Sequence, residues 1–187
     1  MVDLALLQSV SYMAGALGVF IAAIFYVLNL RISQRNSKLA LKSQEQTLET
    51  RQAQLLMSIF QNYSSKEFQT DMEEMVNVWK WRDYDDFMSR YAMENVRENG
   101  KAATVFQIYE GTGVFVKRGL VNPELVYDLM RESVIATWEK FSPIIESWRT
   151  KYNAPQIYLG FEFLYHETKR VREERGYPAS SFGRVTP

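Results

Sequence analysis

The sequence predicts an all-α protein: one transmembrane helix, a polar stalk helix that continues it, and a cytoplasmic helical bundle. Three observations lead to this prediction. Residues 4–30 carry no charged side chain, residues 31–54 are polar without proline or glycine, and most aromatic residues come later. No run alternates apolar and polar residues as a half-buried strand would, so helices are expected throughout.

The first predicted element is a membrane anchor, residues 1–30. As a helix, residues 10–30 would span about 30 Å, the thickness of the hydrocarbon layer. The segment lacks the basic start and cleavage site of a signal peptide, so we expect it to stay uncleaved. Four basic residues come next: Arg31, Arg35, Lys38 and Lys42. By the positive-inside rule they place the remaining chain in the cytoplasm, which predicts a single-pass protein of the cell membrane.

Small residues recur at helical spacing inside this anchor. Ser11, Gly15, Gly18 and Ala22 would form one stripe along the helix. Small side chains let transmembrane helices approach closely, so the stripe predicts contact with another transmembrane helix. Because the chain has one crossing, that helix would come from a second copy or from a subunit of a membrane complex.

The stalk, residues 31–54, is expected to extend the same helix. Leu41, Leu48 and Leu55 recur every seven residues, but the second apolar position of each heptad is polar. Two interpretations stay open. One is a weak coiled coil, and the other is a solvated stalk whose leucines rest on a neighbouring surface.

The bundle is predicted over residues 55–176, and residues 177–187 form an irregular tail rich in proline, serine and glycine. Cap and breaker residues divide the bundle. The first expected elements are a helix over about 65–81 with Ser64 and Glu67 as a capping box, a short helix capped within Asp83–Asp86, and a turn at Asn99–Gly100. A central helix ending at Gly119 follows, then a helix from Asn122–Pro123 with a kink or break near Pro143, and a last helix over 155–176.

Composition excludes several kinds of chemistry. The 22 basic and 22 acidic residues create no field that would attract nucleic acid, and the absence of cysteine excludes disulfides and thiolate sites. His166 is the single histidine, and Glu162 lies four residues before it. A di-iron bundle needs a Glu-x-x-His pair on each of two helices, so we expect a polar network rather than a metal, and no cofactor.

Glu110 is the acid of most interest, because it lies in the most apolar segment of the bundle, where an isolated charge is costly. We expect it to form a buried ion pair with Arg118, Arg149 or another arginine; a functional acid is the alternative. The neighbouring Gly111 and Gly113 are not followed by the lysine that a phosphate-binding loop requires. Close approach of another helix, or a bend, is a better explanation for glycines at these positions. The candidate buried polar site is therefore Glu110, Arg118, Arg149, Glu162 and His166.

A family resemblance rests on three segments. They are Tyr109-Glu110-Gly111, the turn Val116-Lys117-Arg118-Gly119-Leu120-Val121, and the later positions Val134, Trp138, Ile144 and Arg149. With the preceding anchor and stalk, this order resembles an uncharacterised prokaryotic family known as a domain of unknown function, over about residues 5–172. The resemblance implies a membrane-tethered helical module and carries over no catalytic residue.

Three functions are consistent with these features. The first is a non-catalytic interaction protein, an accessory subunit or scaffold of a membrane complex that presents its bundle at the cytoplasmic face. The second is a membrane-tethered sensor or effector with a ligand pocket lined by aromatic residues. The third and most remote is a carboxylate-based enzyme around Glu110 or Glu162.

Overall fold

The computed structural model describes residues 4–92 and 95–178, and every regular element in these ranges is an α-helix. The chain divides into two units, Met1–Thr50 and Arg51–Pro187. Of the predicted tail, residues 179–187 lie outside the described residues. The prediction of an all-α protein is confirmed.

The first unit contains most of helix α1 (Leu4–Tyr63). Every residue of this helix from 4 to 50 is exposed, including the whole apolar segment. By length and composition, α1 is a candidate membrane span, although an N-terminal signal sequence would meet the same criteria. Leu41 and Leu48 are exposed in this unit, so the coiled coil stays a prediction.

The second unit holds the last turns of α1 and five further helices. These are α2 (Lys66–Asn77), α3 (Tyr84–Tyr91), α4 (Val96–Lys117), α5 (Pro123–Lys151) and α6 (Leu159–Glu174). The α4 helix is central, because α2, α3 and α6 all pack against it. Ile59 of α1 is buried in the same core, so the folded unit takes in the end of the long helix.

Aromatic rings fill the core where α4, α5 and α6 meet. Phe106 packs edge-on against Phe141 with ring centroids 5.2 Å apart. Phe161 stacks on Tyr109 at 4.9 Å and receives the edge of Trp138 at 5.0 Å. Such pairs add about 0.5–1.5 kcal/mol each to the free energy gained from burying their area. These contacts fix α6 between α4 and α5.

Several helix boundaries match their predicted caps. Asp83 accepts a hydrogen bond from the amide of Asp86 at 2.9 Å, and Asn122 accepts one from Glu124 at 2.8 Å, with Pro123 in the first turn. Gly119 follows the end of α4 with φ of 67°, the left-handed conformation that favours glycine after a helix. At these three positions the local sequence was sufficient to predict where a helix begins or ends.

Two predictions at helix starts were wrong because a cap lies elsewhere. Ser65, not Ser64, caps α2, since the amide of Ser64 still bonds to Phe60 in the last turn of α1. The Asn99–Gly100 turn does not form, because Asn95 caps α4 and both residues lie inside that helix.

Three further boundaries differ from prediction. The α2 helix ends at Asn77 rather than near 81, and α6 begins at Leu159 rather than Pro155. The break in α5 lies at Arg131, with φ of 37° and ψ of −120°, whereas Pro143 stays inside the helix. Proline removes the hydrogen bond to Glu139, but both residues are exposed, so water can bind the freed carbonyl.

Candidate functional site

The start of α6 is the best-defined polar site in the bundle, and it lacks a cap of its own. Tyr158 occupies the cap position in the left-handed conformation, with φ of 53° and ψ of 39°, and its side chain makes no capping bond. Instead, Glu110 of α4 accepts a hydrogen bond from the amide of Phe161 at 2.7 Å. A carboxylate there satisfies a free amide and interacts favourably with the positive end of the helix dipole.

Two glycines make this contact possible. A Cβ atom on Gly113 would lie 1.8 Å from the carbonyl oxygen of Gly160. A Cβ atom on Gly160 would lie 2.6 Å from the carbonyl oxygen of Glu110. The backbones of α4 and α6 therefore touch, which confirms the predicted close approach for Gly113. Gly111 has nothing within 4 Å of its Cβ position, so close approach does not explain it.

Arg149, near the end of α5, also contacts the start of α6. Its Nε donates to the carbonyl of Ile157 at 2.8 Å, and its Nη1 lies 2.8 Å from a carboxylate oxygen of Glu162. The guanidinium lies over the ring of Trp138, 5.9 Å from the centroid. Its remaining nitrogen, Nη2, is buried without a hydrogen-bond partner. This arginine therefore fixes both the connection before α6 and the first turn of α6.

The predicted buried site forms only in part. Arg149 and Glu162 pair, and Glu110 bonds to the amide next to Glu162. The ion pair expected between Glu110 and Arg118 or Arg149 does not form: among the described residues no arginine lies within ion-pair distance of Glu110, and its carboxylate accepts a hydrogen bond from a helix terminus instead. Arg118 is exposed after α4, and His166 is exposed on α6. Among the described residues, no group of three histidine or acidic side chains is placed to hold a metal.

The environment of this site affects one nearby tyrosine. Tyr158 is half-buried, and its burial raises the pKa of its hydroxyl, with the negative charge of Glu110 adding to the shift. Its ring lies edge-on to Phe106 with centroids 5.3 Å apart. Tyr158 therefore stays protonated at physiological pH.

Lys140 has an unusual position that the sequence analysis did not predict. Its ammonium donates to the carbonyls of Val76 and Trp79, at 2.7 and 2.6 Å, and so caps the end of α2. Burial, with a smaller contribution from the charge of Lys80, lowers the pKa of Lys140 to about 8. Its neighbours in sequence, Glu139 and Phe141, gave no sign of this role, because the acceptors are more than 60 positions away.

A second missed feature is a buried hydroxyl cluster. Tyr109 is fully buried, and its hydroxyl makes no hydrogen bond of normal geometry although Ser133 and Thr137 lie beside it. Both of those hydroxyls donate to carbonyls of their own helix. Burial raises the pKa of Tyr109, so it stays neutral. Tyr63 joins from α1 with its hydroxyl 3.1 Å from that of Ser133, which ties the last turn of α1 to α5.

A cleft of about 800 Å³ runs between the first turns of α2 and α4. Its lining mixes charges of both signs: Lys66, Glu67, Asp71, Arg97 and Lys101. Lys101 lies 2.7 Å from Glu74 and 3.2 Å from Glu98, so it neutralises acids on both helices. The cleft is lined by three basic and two acidic side chains and by no aromatic residue, so it lacks the aromatic lining expected of a sensor pocket.

Together, fold and site define a helical protein with one long apolar N-terminal helix and a bundle whose polar groups hold its helices together. The chain belongs to the family described as Domain of unknown function (DUF4760), which it matches over residues 13–168. No curated protein and no solved structure matches the chain.

Proposed function

We propose that this protein is a membrane-anchored, non-catalytic interaction module: an accessory subunit or scaffold that presents its bundle at the cytoplasmic face. One observation carries the proposal, the exposed apolar surface of α1. Residues 4–30 are uncharged, and large side chains such as Leu4 and Phe20 are 80% and 68% exposed. At about 25 cal/mol per Å² of apolar area, removing such a helix from water is strongly favourable. A bilayer is the environment that its length fits.

The cytoplasmic orientation rests on charge. The only acid or base before residue 31 is Asp3, whereas Arg31, Arg35, Lys38 and Lys42 follow the span directly. The positive-inside rule then directs the C-terminal bundle to the cytoplasm. The non-catalytic role is supported by the use of Glu110, Arg149 and Glu162 in helix capping and pairing.

The test is membrane extraction of the intact chain together with a topology reporter. After an alkaline wash the wild type should stay in the membrane pellet with its N-terminus uncleaved. Replacing Ile21 and Ile24 with arginine should release it, because each charge at the centre of a span costs about 2.5–3.5 kcal/mol. The matched control replaces both with leucine and should stay embedded. A shortened N-terminus would instead identify a signal sequence.

A reporter fused after Pro187 tests the orientation. A reporter that works only in the cytoplasm should be active, and one that works only after export should be silent. The reverse pattern would overturn the cytoplasmic placement while leaving the anchor intact.

A further inference from the structure

Four basic residues of α1 lie on one face of the helix, directly after the apolar segment. Arg31, Arg35, Lys38 and Lys42 are separated by four, three and four positions, and all are exposed in the helical stretch of the first unit. At 100° per residue, this spacing keeps all four within an arc of about 60°. We call these four residues the basic stripe.

The basic stripe is not neutralised by acids of its own segment. Residues 4–44 contain no aspartate or glutamate, and the first acid after the stripe is Glu45. None of the four residues forms an ion pair within the described structure. Glu45 lies on the same helix face, three residues after Lys42, but forms no ion pair with it. The stripe therefore offers four positive charges on one surface, with the first acid at its far end. Positive-inside orientation requires only their number and side of the membrane, and their alignment on one helix face needs a separate explanation.

We infer that the basic stripe binds the headgroups of anionic phospholipids in the leaflet next to it. This inference rests on the proposed membrane anchor. With 1.5 Å of rise per residue, Arg31 and Arg35 lie about 2 and 8 Å beyond Leu30, and Lys38 about 12 Å. The headgroup layer is about 5–8 Å thick, and charges act over a further 8–10 Å at physiological salt. Three members of the stripe are therefore within reach of the lipid phosphates.

The position of Lys42 gives a reason for the basic stripe to lie on a single face of the helix. At about 18 Å beyond Leu30 it lies at the limit of this range when the helix stands upright. Tilting the helix towards the stripe brings Lys42 closer to the phosphates, whereas tilting it away from the stripe moves Lys42 further from them. Basic residues within a Debye length of an anionic leaflet are attracted to it. An anionic leaflet would thus favour one direction of tilt, which four basic residues spread around the helix would not do.

The experiment uses the full-length chain reconstituted in vesicles of phosphatidylcholine with about 30% phosphatidylglycerol. Spin-labelled forms of the two lipids report which one the protein retains at its surface. The wild type should prefer phosphatidylglycerol severalfold, and the preference should fall with added salt. The variant R31Q/R35Q/K38Q/K42Q should show equal association. Both leaflets contain the anionic lipid, so the readout does not depend on orientation.

Two control variants separate the stripe from simple charge. R31K/R35K keeps the charges and should keep the preference, whereas R51Q/K66Q removes two charges elsewhere and should also keep it. Equal association of both lipids with the wild type would overturn the inference, and so would an equal loss in R51Q/K66Q. An alkaline wash of the same vesicles distinguishes the two proposals. Release of the chain would refute the anchor, whereas an embedded chain without lipid preference would refute the stripe alone.

Discussion

At the scale of single residues, the contact between Gly113 and Gly160 controls how α4 and α6 meet. The Cβ position of Gly113 is 1.8 Å from a backbone oxygen that no side-chain rotation can move. Gly111, two residues earlier in the same helix, has open space at its Cβ position. Substitution by alanine should therefore have opposite effects on stability at these two positions.

We expect Gly113→Ala to lower the free energy of unfolding by about 3 kcal/mol or more, because the helices must separate. Gly111→Ala should raise it by up to about 1 kcal/mol, because alanine favours a helix. All four tryptophans lie in the bundle, so urea unfolding of the full chain in mild detergent can be followed by their fluorescence. Equal effects of the two substitutions would contradict the observed contact.

Glu110 is predicted to act as the cap of α6. Glu110→Ala should cost about 1 kcal/mol, the usual loss on removing a cap, and Glu110→Gln less, because the amide oxygen still accepts from Phe161. The exposed Glu146 provides the control, and Glu146→Ala should have little effect. The same fluorescence measurement applies. A glutamine variant as unstable as the alanine variant would show that charge, rather than the hydrogen bond, dominates.

At the scale of elements, Lys140 links α5 to the end of α2. Its pKa is lowered to about 8 by burial. The unfolded chain keeps the ordinary value of 10.5, so between these two pH values the unfolded state binds more protons. Stability must then rise with pH in this window. Above about pH 10 the tyrosines oppose the rise, because Tyr109 ionises less readily in the folded state.

The prediction is a free energy of unfolding that increases from pH 7.5 to 9.5. Lys140→Met should abolish the increase, although it also lowers stability overall by leaving the carbonyls of Val76 and Trp79 without a donor. Lys117 is exposed, and Lys117→Met should retain the wild-type slope. A flat profile in the wild type would contradict the role of burial at Lys140.

At the scale of the whole molecule, the small-residue stripe of the anchor concerns assembly. Ser11, Gly15, Gly18 and Ala22 are exposed, and nothing lies within 4 Å of the Cβ positions of the two glycines. We predict that a second transmembrane helix packs there. Replacing Gly15 and Gly18 with leucine should disrupt a specific complex without preventing membrane insertion, because leucine is favourable in the bilayer.

The measurement for this prediction is the crosslinked or native-gel size in mild detergent. Ala16→Leu with Ala23→Leu adds bulk to a different face of the same helix and should leave the complex intact. Identical sizes of the wild type and the glycine variant would show that the stripe is not an interface.

The fold class of this protein and many of its local features could be predicted from the amino-acid sequence alone. Apolar length and charge distribution predicted the long N-terminal helix, and Asp83, Asn122 and Gly119 fixed helix ends, because caps act on amides and carbonyls within a few residues. The stretch around Glu110 was also correctly marked as a place where a charge would need a partner.

The partner of each polar group, in contrast, depended on how the helices pack in the tertiary structure. Glu110 bonds to an amide 51 positions away, and Lys140 to carbonyls 61 and 64 positions away. Sequence analysis assigned Glu110 to an arginine because it weighed side-chain charges, whereas a helix terminus presents backbone amides that appear only once α6 has formed against α4. The choice between cap, ion pair and exposed charge depends on which helices touch, and that is set by the packing of glycines and aromatic rings across the whole bundle.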